Sequence, residues 1–204
     1  VSLVDRVHEG HVHRRRVRVL ARHLAEMLPR DARVLDVGCG DGRLAQAVLA
    51  LRPDLTISGI DVLVRADAAI PVMPFDGVHI PYGDRSVDAV LFVDVLHHTT
   101  DPMTLLREAA RVARHAIVLK DHVADCLLAL PTLRFMDRVG NARHGVALPY
   151  NYWRQGQWRD AFAALGLTIE EWRERLGLYP PVASLLFDRS LHVIARLRPA
   201  LARR

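Results

Sequence analysis

The stretch Val34-Leu35-Asp36-Val37-Gly38-Cys39-Gly40-Asp41-Gly42 joins a short apolar strand to a helix start through a turn with glycine at every second position. Such a turn lets the backbone take positive φ and admits a ligand without meeting a Cβ, while the helix that follows offers its unpaired N–H groups. In an open α/β sheet this corner lies beside the ligand. The spacing is G-x-G-x-G, not the G-x-G-x-x-G of dinucleotide sites, and Arg43 stands where the third glycine of that fingerprint would fall. Asp36 and Asp41 flank the turn, and carboxylates there repel a pyrophosphate and favour a cation.

Outward from this corner, strands alternate with helices. The first strand, Arg33 to Val37, leads to a helix from about Gly42 to Leu51, and Pro53-Asp54 resets the chain for a strand over Thr56 to Ile60. The segment Val62 to Ile70 has room for a short helix, and Val72 to Phe75, carrying Pro74, predicts a short edge-like strand. Val87 to Val93 is an apolar strand of the kind covered on both faces. Thr100-Asp101-Pro102 opens a helix with Asp101 or Thr100 as cap, and Ala116 to Leu119 is the next strand. Upstream, apolar residues recur at helical spacing from Val12 to Leu28, ahead of Pro29. Downstream come a helical stretch over Val123 to Val139, an irregular polar-aromatic segment over Gly140 to Gln155, and a helix over Gln157 to Leu165. Two strands, Leu167 to Arg173 and Ser190 to Leu197, are joined through Pro180-Pro181 and predict an antiparallel pair at one sheet edge. The arginine-rich tail Pro199 to Arg204 is expected to fray. The expected fold is a Rossmann-like, doubly wound α/β sheet, mostly parallel with an antiparallel edge strand, and helices on both faces. A single domain over 1–204 is expected, with an N-terminal helix at about 12–28 and a lid or insertion at about 123–155.

Half the residues are apolar, enough for a globular core. Cys39 and Cys126 make neither a disulfide framework nor a metal ligand set, which predicts a reducing compartment. No run approaches the roughly 18 apolar residues of a membrane span, and cytoplasm is the expected location. Net charge is +5, and Lys120 is the one basic residue that is not arginine. The cluster His11-Val12-His13-Arg14-Arg15-Arg16 is the best candidate for a nucleic-acid surface, with a solvated helix face as its plain alternative. Elsewhere arginine alternates with acidic residues, as on a salt-bridged surface, so nucleic acid is not the expected partner.

Residues that end strands line the ligand in such a sheet. Each of four strand ends carries an aspartate: Asp36, Asp61, Asp76 and Asp94. S-adenosylmethionine (SAM), a nucleoside bearing a sulfonium and an ammonium in place of phosphates, suits this acidic rim; a nicotinamide dinucleotide does not. Asp61, 25 residues after Asp36, can accept two hydrogen bonds from vicinal ribose hydroxyls, and Val62 can cover adenine. Asp76 can accept from the adenine amino group while the neighbouring backbone N–H, near Gly77, donates to a ring nitrogen. A turn aspartate at 76 and a helix cap at 61 are the structural alternatives.

Four stretches resemble, in order, the motifs of class I SAM-dependent methyltransferases of the methyltransferase type 11 (UbiE-like) group. They are Val34 to Gly42, Gly59-Ile60-Asp61-Val62, Phe75-Asp76-Gly77, and Asp84 to Val90 followed by Val95-Leu96-His97-His98. The resemblance extends from Arg33 to about Leu119 and departs from the group in the short Val62 to Ile70 connection. It implies SAM contacts from Gly38, Gly40, Asp61 and Asp76, with the backbone near Val93-Asp94 at the methionine end; Asp36 and Cys39 belong to the same motif. The expected activity is methyl transfer to a small molecule.

In-line displacement at a sulfonium mainly requires alignment and exclusion of water. If the acceptor is a weakly acidic group, an imidazole near the fourth or fifth strand end is the natural proton acceptor; His97, His98 and His122 qualify by place, with His98 and then His122 as the catalytic candidates. Asp94, His97, His98 and His122 match no strong metal spacing, so no metal is expected. Phe135, Met136, Asn141, His144, Tyr150, Asn151, Tyr152 and Trp153 are candidates for the acceptor wall or for simple cover of the sheet. Alternatives are an RNA methyltransferase, which needs a basic groove leading to the pocket, and a SAM-binding regulatory subunit without activity. The [DNS]-P-P-[YFW] loop of amino-methylating nucleic-acid enzymes is replaced here by Asp94-Val95-Leu96-His97. Asp61→Ala is expected to weaken SAM binding by about 1.5–3 kcal/mol, the scale of a hydrogen bond to a charged group; calorimetry that finds unchanged affinity would remove Asp61 from the site.

Overall fold

The computed structural model describes residues 3–141 and 149–200, with side chains described for 14–138 and 149–200. Among these residues seven strands form one sheet in the order β3-β2-β1-β4-β5-β7-β6. Five strands run parallel: β1 (Arg33–Val37), β2 (Thr56–Asp61), β3 (Val72–Pro74), β4 (Val87–Val93) and β5 (Ala113–His122). β7 (His192–Arg198) is antiparallel to both β5 and the edge strand β6 (Thr168–Arg173). The expected antiparallel pair is thus present, with its second strand inserted between β5 and the edge. Strand order reverses between β2-β1 and β1-β4, and the crevice at that switch point opens at the carboxyl ends of the strands.

Each face of the sheet buries its own core. α1 (Leu3–Met27) and α2 (Arg43–Leu51) pack Leu20, Leu24, Met27 and Val48 over Val34, Ile57, Ala89 and Leu91. On the other face α3 (Pro102–Val112) and α5 (Gln155–Ala164) pack Leu105, Leu106, Trp158 and Phe162 over Leu35, Val37, Val90 and Phe92. Alternate strand residues therefore serve opposite cores, and β4 is apolar on both sides because both are covered. Asp101 caps α3 by accepting from the Met103 N–H, with Pro102 preset for the first turn.

The structure departs from expectation in several connections. Val62 to Ile70 holds no helix: the Ala69 N–H bonds to the Asp41 carbonyl at 2.8 Å, and Ile70 packs on the glycine turn. β5 is longer than Ala116 to Leu119: Ala113 pairs with Val87 across a register irregularity at Arg114-His115, and Lys120-Asp121-His122 keep their backbone pairing with β7. The expected helix over Val123 to Val139 starts later, as α4 (Ala129–Asn141), behind Leu128 in the left-handed region at φ 60°. A short helix, α6 (Pro181–Phe187), starts at the second proline of the Pro180-Pro181 connection. No helix among the described residues is long and apolar enough to cross a membrane.

Gly59 in β2 shows how the glycine turn is accommodated: a Cβ there would lie 2.3 Å from Cys39 Sγ and 2.9 Å from Cys39 Cβ. Gly59→Ala is expected to destabilise the fold by about 1–3 kcal/mol through overpacking. Chemical denaturation should show partial recovery on adding Cys39→Ala, which removes Sγ and leaves the Cβ conflict; no recovery would place the strain elsewhere.

Candidate functional site

A cavity of about 870 Å³ lies over the carboxyl ends of β1 to β4, and α1 covers part of it with Arg16, Val17 and Leu20. Gly38, Gly40, Asp61, Val62, Asp76, Gly77, Val93 and Asp94 all line it, so the strand ends singled out in the sequence converge. Gly38 has φ +73°, and a Cβ on it would lie 2.6 Å from Val95 Cγ2, so glycine is required for both conformation and space. Asp61 ties two strand ends together, accepting from the Gly40 N–H at 2.8 Å and from the Leu63 N–H at 2.9 Å. Asp76 accepts from the His79 and Val78 N–H groups at 2.7 and 2.8 Å, and these bonds with the His79 ring hold its carboxyl down at about 2. The turn reading of Asp76 therefore describes the chain itself, and the carboxylate still borders the cavity.

Asp36 and Cys39 do not line the cavity. Cys39 turns its side chain back over Gly59, and burial raises its thiol to about 12, with Asp36 and Asp61 adding to the effect. Asp36 is 5% exposed on β1, and burial together with the nearby Asp61 charge raises it to about 7. It therefore stands behind the glycine turn as a largely neutral carboxyl rather than as the charged group expected beside the ligand.

The far wall is built on β5. Its last three residues, Lys120, Asp121 and His122, are all buried, a polar run directly after the apolar stretch Ala116 to Leu119. Lys120 Nζ bonds to Asp94, whose backbone sits in the left-handed region at φ 57°, and Arg16 Nη2 reaches the same carboxylate at 2.6 Å. Burial alone would raise the Asp94 carboxyl; Lys120 and Arg16 hold it well below the usual range.

Asp121 faces the other way. It accepts from the Leu96 N–H at 3.0 Å and meets His97 Nδ1 at 2.6 Å. His97 is 1% exposed, with Nε2 3.4 Å from Asp137 on α4, and the Tyr152 hydroxyl donates to that same carboxylate. Burial would lower the His97 imidazole, but Asp121 and Asp137 reverse this and push it up to about 10. Burial and the His97 charge push His98 below its ordinary value. Burial, Lys120 and His97 push His122 well below. His98 and His122, the two catalytic candidates, both line the cavity, where these shifts keep them neutral. His122 Nδ1 faces the Leu191 carbonyl at 3.4 Å, and Nε2 lies 3.6 Å from the Asp94 carboxylate.

Of the wall candidates, Met136 reaches the cavity, while Phe135 is half exposed and turned from it. Asn151 donates to the His97 and Thr99 carbonyls, Tyr152 is buried, and Trp153 stacks edgewise on Trp158 at 4.8 Å, so these residues brace the β4 loop from beneath. His144 lies outside the described residues, as do the side chains of Asn141, His11, Val12 and His13. Sequence reasoning missed Arg16, Asp121 and Asp137 as site residues; the buried polar run ending β5 was the signal for Asp121, and nothing local marks the other two.

A family described as a methyltransferase domain matches residues 10–171. The 27-O-demethylrifamycin SV methyltransferase of Amycolatopsis mediterranei (strain S699) is 34% identical over 110 residues, 47% of this chain and 40% of that protein. The tRNA (carboxymethyluridine(34)-5-O)-methyltransferase of Arabidopsis thaliana is 35% identical over 78 residues, 36% of this chain and 18% of that protein. The chain thus spans less than half the length of these curated relatives. Among solved structures, a chain of the complex between the Haloferax volcanii Trm112 methyltransferase activator and a methyltransferase superposes with a TM-score of 0.71 at 14% identity. It covers 97% of this chain and 95% of that one, a likeness of fold.

The Asp36 carboxyl retains in the folded chain, up to about pH 7, a proton that the unfolded chain releases near 3.8. Stability is therefore expected to fall as pH rises between these values and to level off above them. Thermal midpoints from pH 4 to 7 should show a shallower decline in Asp36→Asn; equal slopes in both chains would assign the proton elsewhere.

Proposed function

The chain belongs to the methyltransferase domain family, and from that premise we propose that it transfers the methyl group of SAM to a small-molecule acceptor, with His98 as proton acceptor. The adenosine lies along Asp61, Val62, Asp76 and Gly77, and the methionine end along Gly38, Val93 and Asp94, with Arg16 above it. SAM supplies the activated methyl group; the protein aligns the acceptor with it and excludes water. α1 and α4, carrying Arg16 and Met136 to opposite walls, are the elements that close the site within one domain over 1–204.

The observation that carries this reading is one cavity that joins the glycine turn and Asp61 to two neutral imidazoles. Its volume of about 870 Å³ falls in the range of small-molecule pockets, about 300–1,000 Å³. A neutral imidazole can take the proton of a hydroxyl as its oxygen attacks the methyl carbon. RNA methylation is the second reading. It is favoured by the tRNA-modifying relative and by Arg14, Arg18 and Arg22, exposed at four-residue spacing along one face of α1.

Calorimetric titration with SAM, S-adenosylhomocysteine and NAD tests the cofactor: binding of the first two without NAD is expected, and silence toward SAM by the folded chain overturns the reading. Methyl-label transfer to a small-molecule panel and to tRNA then separates the two acceptor classes. His98→Ala is expected to lower turnover by about 10²–10⁴-fold with SAM affinity unchanged. Wild-type activity should fall as pH drops through a value below the ordinary histidine 6.5, where His98 gains its proton. Loss of SAM affinity in step with turnover would give His98 a packing role instead.

A further inference from the structure

Under the cavity floor, side chains from three separate elements meet: His97 and His98 from the turn after β4, Asp121 and His122 from β5, and Asp137 from α4. Ligand-type atoms of His97, His98 and Asp137 lie within 4.8 Å of one another. His98 Nδ1 is buried without a hydrogen-bond partner, and the almost wholly enclosed His97 ring has only Asp137, at 3.4 Å, facing its Nε2. An orphaned buried nitrogen such as that of His98 is uncommon in a protein interior and asks for an explanation.

The spacing offers one. His97 Nε2 lies 3.4 Å from Asp137 Oδ2; in a tetrahedral shell with bonds of about 2.0–2.1 Å, neighbouring ligand atoms sit roughly 3.3 Å apart. The other nitrogen of His97 is fixed at 2.6 Å by Asp121, the carboxylate–imidazole support that orients a metal-binding histidine. Tyr152 steadies Asp137 in the same way.

We propose that His97 Nε2, His98 Nδ1 and the Asp137 carboxylate bind a divalent ion of the zinc class, with a further coordination position toward the cavity. Imidazole and carboxylate donors suit Zn²⁺ or Co²⁺ better than Mg²⁺ or Ca²⁺, which take oxygen. Metal binding to an imidazole requires the bound nitrogen to be free of its proton. Binding as such does not depend on the methyl-transfer reading.

The test titrates the chelator-stripped full chain with Co²⁺, followed by visible absorption and calorimetry, and then displaces Co²⁺ with Zn²⁺. One equivalent with a low-symmetry cobalt spectrum is expected. His98→Ala and Asp137→Asn should each weaken binding at least about tenfold, a loss seen even for outer-shell partners, whereas His115→Ala on the exposed side of β5 should not. A stripped wild-type chain that is folded by circular dichroism yet binds no Co²⁺ overturns the proposal without any variant. Equal affinity in folded His98→Ala and Asp137→Asn chains overturns it too. SAM titration of the same stripped sample reports on the cofactor separately, so failure of the metal site and failure of the methyl-transfer reading are distinguishable.

Discussion

The buried ammonium of Lys120, held by Asp94, is the contact on which the rest of the site depends. It joins the ends of β4 and β5, and Arg16 brings α1 to the same carboxylate. A fully buried charge is tolerated only with a close partner, and removing one member of such a pair costs about 3–5 kcal/mol. The pair therefore fixes where β4 ends, draws the Asp94 backbone into its left-handed turn, and sets the start of the loop that carries His97 and His98. It also ties α1 over the cavity, so wall and roof of the cavity share one electrostatic anchor.

Neighbouring residues on that anchor are driven to opposite states. His97, between Asp121 and Asp137, favours its proton; His98 next to it and His122 two residues past Lys120 lose theirs to burial and to the adjacent positive charge. Environments that push like groups apart in pKa are how a site separates a fixed charge from a usable base. Here the separation is built by alternation along β5: Lys120 and His122 face one side and Asp121 the other.

The matched family region stops within β6, yet β7, beyond it, is wedged between β5 and β6 and buries Val193, Ile194, Ala195 and Leu197. β5 is thus covered by pairing on both sides, which holds its polar carboxyl end rigidly under the cavity. One half of the crevice is made by local turns after β1, β2 and β3, and the opposite half by long-range contacts of β5 with α1, α4 and the β4 loop. That division explains why one half reads as motifs and the other does not.

The sequence by itself determined the sheet and the rim of its cavity. Short apolar runs between turn residues placed β1, β2 and β4, proline and aspartate placed the α3 cap, and the G-x-G-x-G turn with Asp61 and Asp76 pointed to the residues that border the cavity, because each depends on residues near in the chain. Tertiary structure alone decided which of those residues face the cavity. Cys39 turned away because Gly59, on the next strand, leaves room for its sulfur. Val62 to Ile70 stayed irregular because the glycine turn takes its N–H. Arg16 and Asp137 joined the site from helices 78 residues before Asp94 and 40 residues after His97. Charge and proton state followed from those distant pairings, since they depend on burial and on which carboxylate stands nearest.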